Sequence, residues 1–395
     1  MRSKQTSAFV RVYRREWQRI AEKKTLYMLM LFLPLTIFIL LAAIYQNRVV
    51  TDLPVAVWDQ DNSDLSRMVI RSYASTRSIQ INGYVHSLEE IKEQFRSGRI
   101  QGALYIPADF SKQIKRGKQA RLVFYENASN LVIGNLLLKE SQTISQTISA
   151  GLVMRQMRAL GMSEAQAMDK TLPVRIESKS LYNPAYNYEN FLVPGLLPML
   201  LQLMIMVAGV LICSSEYTHN TIQELYRLAD SGISAIFWGK SLPHLMVHSA
   251  TVLGLLGILF PWFGIPFRGS LLAGFVLMEL FVMASFFMAM ALSTLFHDQF
   301  LATEIAVFFN TPAFIFSGYT FPVWAMPGLH QVYAQLMPFT HFLQGFIKLY
   351  QMGLSFKDVL PQAVVLVLFI LISVVVILTA LNYRSRHILL QTKTV

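Results

Sequence analysis

Three ionisable residues stand inside long apolar runs: His244, His248 and Glu279. A charged side chain placed there costs roughly 3 kcal/mol unless something answers it. His244 and His248 are one helical turn apart and so share a face. Either the three line a polar path or pass protons along it, or Glu279 pairs with a polar group on a neighbouring helix and fixes packing. One acid and two histidines are too few for a relay chain, which favours the packing role. Gly239-Lys240-Ser241 matches the tail of a phosphate-binding loop. The earlier glycine such a loop needs would fall at Ser234, and bulky Ile236, Phe237 and Trp238 fill the interval, so nucleotide binding here is excluded. His86 stands alone, and Asn127-Ala128-Ser129 is a glycosylation sequon without supporting context. With no carboxylate pair, Ser-His-Asp set or histidine cluster, the chain reads as a non-enzyme without a catalytic, cofactor-binding or metal site. Any energy it uses has to arrive from outside.

Composition agrees with that setting. The 395 residues are 54% hydrophobic and 14% charged, where a soluble domain carries roughly 25% charge. The net charge of +11 comes from bases scattered through the polar middle or packed beside the first apolar run. Membrane placement accounts for them, and no base-stacking module points to nucleic acid. The single cysteine, Cys213, rules out a disulfide framework and a cysteine metal site.

The expected fold is an α-helical integral membrane protein with six spans, re-entrant helices and an inserted extracytoplasmic α/β domain. In residues 1–24, Arg2, Lys4, Arg11, Arg14, Arg15, Arg19, Lys23 and Lys24 face only Glu16 and Glu22. Phe9, Val12, Tyr13, Trp17 and Ile20 recur at three- and four-residue spacing, with Arg11, Arg14, Arg15, Gln18 and Arg19 opposite. That pattern predicts a basic amphipathic helix lying along lipid headgroups. Residues 25–45 form span one, about 20 apolar residues or roughly 30 Å of helix, kinked at Pro34. The basic foot puts the N-terminus in the cytoplasm.

Residues 46–190 hold no membrane-length apolar run and are expected outside. Strands are predicted at 53–58, 78–85, 101–106 and 121–125, with helices between them and a long helical stretch at 129–160, soft near 149–151. Ser87 with Glu90 gives a capping-box start to the helix at 88–96. Such alternation favours a small α/β recognition or docking module whose strand order is unreadable. Asn183-Pro184 and Pro194-Gly195 bracket the return, with Tyr182, Tyr186 and Tyr188 as an interfacial belt.

Residues 191–382 form the remaining transmembrane domain. Spans are predicted at about 191–213, 241–264, 271–296, 300–318 (interrupted by Asn310-Thr311-Pro312) and 359–381. Residues 320–354 are apolar pieces broken by proline and glycine, read as two short helices dipping into the outer leaflet. Residues 383–395 form a cytoplasmic tail, so both termini lie inside. Residues 214–240 make a polar, helix-forming island on the cytoplasmic side, because Glu216, Glu224, Arg227 and Asp230 cannot stay in hydrocarbon.

That island resembles the cytoplasmic coupling segment of the type-2 family of ABC transporter permeases. Glu216, Thr221, Glu224, Leu225 and Leu228 stand where the family has an acid leading a Thr-x-x-x-Leu helix, and Gly239-Lys240 precedes the next span. Members usually carry Glu-Arg-Glu and then Gly-Thr, where this chain has Ser215-Glu216-Tyr217 and Asn220-Thr221. Ser317-Gly318, Met326-Pro327 and Pro338 with Thr340 resemble the family's outer re-entrant region. The order of these motifs, the large domain after span one and the PFRGS link at 266–270 are similar to the bacterial drug-efflux-like subgroup.

The resemblance implies an exporter subunit in the bacterial inner membrane, moving an amphipathic drug, lipid or glycan-like cargo. Separate cytoplasmic ATPase subunits, binding ATP and Mg, would dock on 216–240, with the helix of Arg11, Arg14, Arg15 and Trp17 walling their cleft. Two permease copies, identical or paralogous, and a periplasmic adaptor are the further expected partners, beside membrane lipid. The alternative is a membrane sensor or assembly protein whose outer domain binds a ligand; its short tail argues against it. A proton-driven carrier would need more buried carboxylates and internal repeats.

Overall fold

The computed structural model describes residues 7–44, 50–163, 181–182 and 188–391. The expectations for Arg2, Lys4, Asn183, Pro184 and Tyr186 fall outside them. The chain divides into two compact units, Met1–Arg48 with Leu181–Val395, and Val49–Ser180.

The larger unit begins with α1 (Ala8–Glu22), whose first turn is capped by Ser7 Oγ accepting from the Val10 amide. α2 (Lys24–Ile44) follows at once, 21 residues with Pro34 inside.

The smaller unit is an α/β sandwich of β1 (Leu53–Asp59), α3 (Asp64–Ala74), β2 (Ile79–Tyr84), α4 (Leu88–Arg96), β3 (Gly102–Ile106), α5 (Phe110–Lys115), β4 (Val123–Glu126) and α6 (Leu131–Ala159). Its sheet order is β2-β1-β3-β4. β1 pairs in parallel with β2 and β3, while β4 runs antiparallel to β3. Parallel neighbours need crossovers, and α3 and α4 are those crossovers. The apolar run of β1 follows from its place, because Val55, Ala56 and Val57 are buried on both faces. Val55, Tyr73, Leu104 and Leu137 share one core, and Ala56, Ile91, Ile100 and Ala103 share the other. At the start of α4, Ser87 Oγ accepts from the Glu90 amide at 3.1 Å and the Glu90 carboxylate accepts from the His86 amide at 2.8 Å. The soft point expected near Ser149–Gly151 is absent, since α6 runs unbroken through 29 residues. One glycine at about 1 kcal/mol does not break so long a helix.

The larger unit resumes with α7 (Tyr188–Thr218), α8 (Ile222–Leu228), α9 (Ile233–Leu253), α10 (Leu271–Leu295) and α11 (Gln299–Asn310). α12 (Gly328–Gln335), α13 (Pro338–Tyr350) and α14 (Leu360–Gln391) complete it. Among the described residues five stretches are long and apolar enough to cross a membrane: Gly195–Thr218, Ile233–Trp262, Leu271–Leu295, Gln299–Phe316 and Phe356–Arg386. α2 adds the shorter apolar stretch Met30–Ile44. The break expected after Asn310 is present, and Asn310 Oδ1 accepts from Gln202 Nε2 at 2.5 Å. α10 is central, with Phe281, Val282 and Phe286 fully buried. Phe281 stacks on Phe342 of α13 with centroids 4.2 Å apart.

The polar island is shorter than the sequence suggests. α7 stays helical to Thr218 and α9 starts at Ile233, so only α8 and its two turns stand apart from the spans. Ser214, Ser215 and Glu216 in the last turn of α7, and Lys240 two turns inside α9, are buried rather than water-facing. Their charges answer one another, which removes the reason to expel them.

Candidate functional site

The buried stripe of α1 is Val12, Glu16 and Ile20, four residues apart. Arg11, Arg15 and Arg19 run beside it half-buried, while Arg14 and Gln18 are exposed. The helix is amphipathic as expected, but its buried stripe carries Glu16, and Arg11, Arg15 and Arg19 flank that stripe rather than standing opposite it. The inner face of α1 lies on α9, and Gly239 permits the approach, because a Cβ there would sit 2.7 Å from Val12 Cγ1. Trp17 is half-buried along the aromatic edge, where Tyr13 meets it edge-on.

Where the ends of α7 and α9 meet α1, the charges converge. Lys240 Nζ donates to Glu16 Oε2 at 2.7 Å and to Glu216 Oε1 at 2.8 Å. The Arg15 guanidinium grips Glu216 with two parallel bonds, Nη1 to Oε1 at 2.7 Å and Nη2 to Oε2 at 3.0 Å. Arg19 also pairs with Glu216 and donates to Ser215 Oγ at 2.7 Å. Glu16 Oε1 meets His244 Nε2 at 3.0 Å, and Tyr27 of α2 stands 3.4 Å from His244 Nδ1. Two carboxylates thus share Arg15, Arg19 and Lys240, with Glu16, Glu216 and Lys240 almost wholly buried.

Burial alone would raise the pKa of Glu16. The charge of Lys240, then the contacts of His244 and Arg19, overcome it and hold the carboxyl far below the usual range. Such a network adds little net stability over an apolar replacement, but removing one member strands the rest at roughly 3–5 kcal/mol. Its effect is to fix geometry, binding α1, α7 and α9 into one joint.

α8 hangs from that joint. Thr221, the residue before it, donates its hydroxyl to Glu216. Arg11 Nε donates to the Leu228 carbonyl at 2.9 Å, and Arg11 pairs with Asp230. Arg15 also reaches Glu224 at 3.8 Å. Leu225 and Tyr226 face inward, and Tyr226 Oη donates to the Leu381 carbonyl of α14 at 2.8 Å. Leu228 is half-buried, whereas Gln223, Glu224, Arg227 and Asp230 are exposed. The turns that set α8 apart use left-handed backbone at Asn220, Asp230 and Ser231.

The structure therefore divides the residues singled out from the sequence. Glu216 and Thr221 enter the joint, Leu225 anchors α8, and Glu224 stays on the outer surface. His244 belongs to the joint too. His248 is buried one turn further along α9 and Glu279 accepts from Ser249 Oγ at 2.7 Å, with neither bonded to the cluster. Ser317, Gly318, Met326, Pro327, Pro338 and Thr340 lie between α11 and α13 or open α13. Gly318 has φ +83°, and the Met326 carbonyl accepts from Gln331 Nε2 at 2.8 Å. Sequence reasoning missed Glu16, Arg19, Ser215, Tyr27 and Lys240 as members of the joint. The usable signal was an acid in register with Val12 and Ile20 on an otherwise basic helix.

The chain belongs to the ABC-2 family transporter proteins: the family's model matches residues 23–379. It is thus a membrane permease of the ABC transporter class. It is similar to the probable multidrug ABC transporter permease YbhR of Escherichia coli (strain K12), 25% identical over 315 residues, covering 79% of this chain and 81% of that one. The probable multidrug ABC transporter permease YbhS of the same strain is 23% identical over 305 residues, 75% of this chain and 76% of its own. ABC transporter G family member 20 of Dictyostelium discoideum is 23% identical over 346 residues, 85% of this chain but 46% of its own.

Proposed function

We propose that this chain is the permease subunit of an ATP-driven exporter that moves an amphipathic or hydrophobic cargo (drug, lipid or glycan-like) outward. ATPase subunits on separate chains, holding ATP and Mg, supply the work. The observation that carries the reading is the surface shared by α1 and α8: exposed Glu224 is tied through Arg15 to the buried charge joint, and exposed Asp230 pairs with Arg11 of the same helix. A partner that docks on this surface and closes on ATP pulls α1, α7 and α9 together, because the joint resists independent movement. The spans then pass between two arrangements.

In this scheme α2 and the five long stretches make six crossings, with both termini and α8 in the cytoplasm. The unit Val49–Ser180 stands outside as a docking module, for a periplasmic adaptor in a two-membrane cell. Two permease copies, identical or paralogous, flank the cargo path, and the names of YbhR and YbhS support a drug-like cargo. The test is Glu224→Lys combined with Arg227→Glu, which inverts the charge pattern of α8 and keeps its net charge. The variant is expected in the membrane, correctly folded, without co-purifying ATPase and without transport. Full ATPase association and transport would contradict the reading.

A further inference from the structure

A hollow of about 660 Å³ opens where α7 gives way to α8 and the ends of α10 and α14 come together. Tyr217, His297 and Arg384 form its polar part, and Ile222, Leu295 and Val376 its apolar part. The Arg384 guanidinium lies over the Tyr217 ring, 4.4 Å from its centroid, and His297 meets the same ring edge-on at 4.7 Å. Among the described residues, Arg384 Nη1 and Tyr217 Oη are both buried with no hydrogen-bond partner beyond each other. The remaining bond of that guanidinium, from Nη2 to the Leu295 carbonyl, is long at 3.4 Å. Among the described residues no carboxylate lines the hollow. Glu216, next to Tyr217 in the chain, is already committed to Arg15, Arg19 and Lys240.

A cation and a hydroxyl buried together without an acceptor are an arrangement that a bound anion would relieve. Solvent reaches neither atom, so the anion enters with a small shift of the guanidinium. Burial, and then the charge of Arg384, lower the pKa of His297, which keeps the ring neutral and able to donate one N–H. Away from Arg384 the hollow turns apolar. Val376 is two turns back along α14, about 12 Å at roughly 1.5 Å per residue. A charged head followed by an apolar run is the shape of an anionic amphiphile at a membrane surface.

We propose that this hollow binds the phosphodiester headgroup of an anionic phospholipid, held by Arg384, Tyr217 and His297, with the upper acyl chain against Leu295 and Val376. Ile222 opens α8, so an occupied hollow braces the coupling helix on a side the charge joint does not reach. The site stands on its own geometry, and its binding is read without the ATPase. Its failure would therefore leave the exporter reading in place.

The experiment is native mass spectrometry of the delipidated protein in a neutral maltoside detergent. Phosphatidylglycerol, phosphatidylcholine and inorganic phosphate are added in separate arms. The wild type and Arg386→Gln, an exposed cation outside the hollow, are expected to retain phosphatidylglycerol. Arg384→Gln should weaken that binding about tenfold. Tyr217→Phe, which keeps the ring beneath the guanidinium, should weaken it severalfold. Equal retention in the wild type and both variants would overturn the proposal, as would equal binding of phosphatidylcholine. Inorganic phosphate binding as tightly as the lipid would overturn the assignment to a lipid.

Discussion

Lys240 Nζ donates to Glu16 Oε2 across 2.7 Å, although 224 positions separate the two residues. One ammonium thereby joins the first helix of the chain to the start of a membrane-capable helix, and the same ammonium holds Glu216. The contact converts a charged N-terminal helix, which composition alone would leave on the lipid surface, into a part of the transmembrane framework.

Removing that ammonium takes a shared cation from two buried carboxylates. Lys240→Met is expected to destabilise the protein by roughly 3–5 kcal/mol, read as denaturant unfolding in detergent. In a double-mutant cycle with Glu16→Gln the two losses should fall well short of additive.

The two arginines side by side on α1 should behave differently. Arg14 is exposed, and Arg14→Ala should change stability by less than about 0.5 kcal/mol. Arg15→Ala breaks the two-bond grip on buried Glu216 and should cost roughly 2–4 kcal/mol. Equal effects would mean that α1 is not held to the end of α7 through Arg15.

Acid should loosen the joint in a defined window. The carboxyl of Glu16 is depressed on folding, so its contribution is present in full above the ordinary value of 4.5. It declines as pH drops below that value and is gone once pH falls through the depressed one. Thermal unfolding from pH 7 to pH 3 should show the wild type losing stability once pH drops below about 4.5. Glu16→Gln should begin lower and slope less, so that the gap narrows with acid. A constant gap would show that Glu16 is not depressed.

Contact between α1 and α9 depends on a missing side chain. Gly239→Ala places a Cβ 2.7 Å from Val12 and should cost roughly 1–3 kcal/mol. Adding Val12→Ala should recover only part of that loss, because the Val12 Cβ would still lie 2.8 Å and the Tyr13 amide nitrogen 3.2 Å from the new Cβ. Full recovery would place the strain at Val12 Cγ1 alone.

Local signals in the sequence carried most of the fold. The apolar run of β1, the Ser87 start of α4 and the Asn310-Thr311-Pro312 break each depend on neighbours a few residues away, and each was readable. Sheet order was not, because the pairing of β3 between β1 and β4 is a long-range choice. Within the site, Glu216 and Thr221 stood out by their spacing, but their direction did not. A carboxylate in an apolar context reads as solvent-bound until its cations are known, and those of Glu216 lie on α1 and at the start of α9. Lys240 was visible only as the end of a false phosphate loop. Nothing local distinguishes such a lysine from one that closes a buried network.

The central claim is that work enters through the surface shared by α1 and α8. Gln223 is exposed on α8, and the buried Cys213 is the chain's single cysteine, so Gln223→Cys on a Cys213→Ser background gives one reactive site. In membranes holding the co-expressed ATPase, a short bifunctional crosslinker should join this cysteine to the ATPase, with a yield that changes on adding ATP. Labelling of the same cysteine in intact cells by a membrane-impermeant maleimide, with no crosslink to the ATPase, would place α8 on the opposite side and contradict the account.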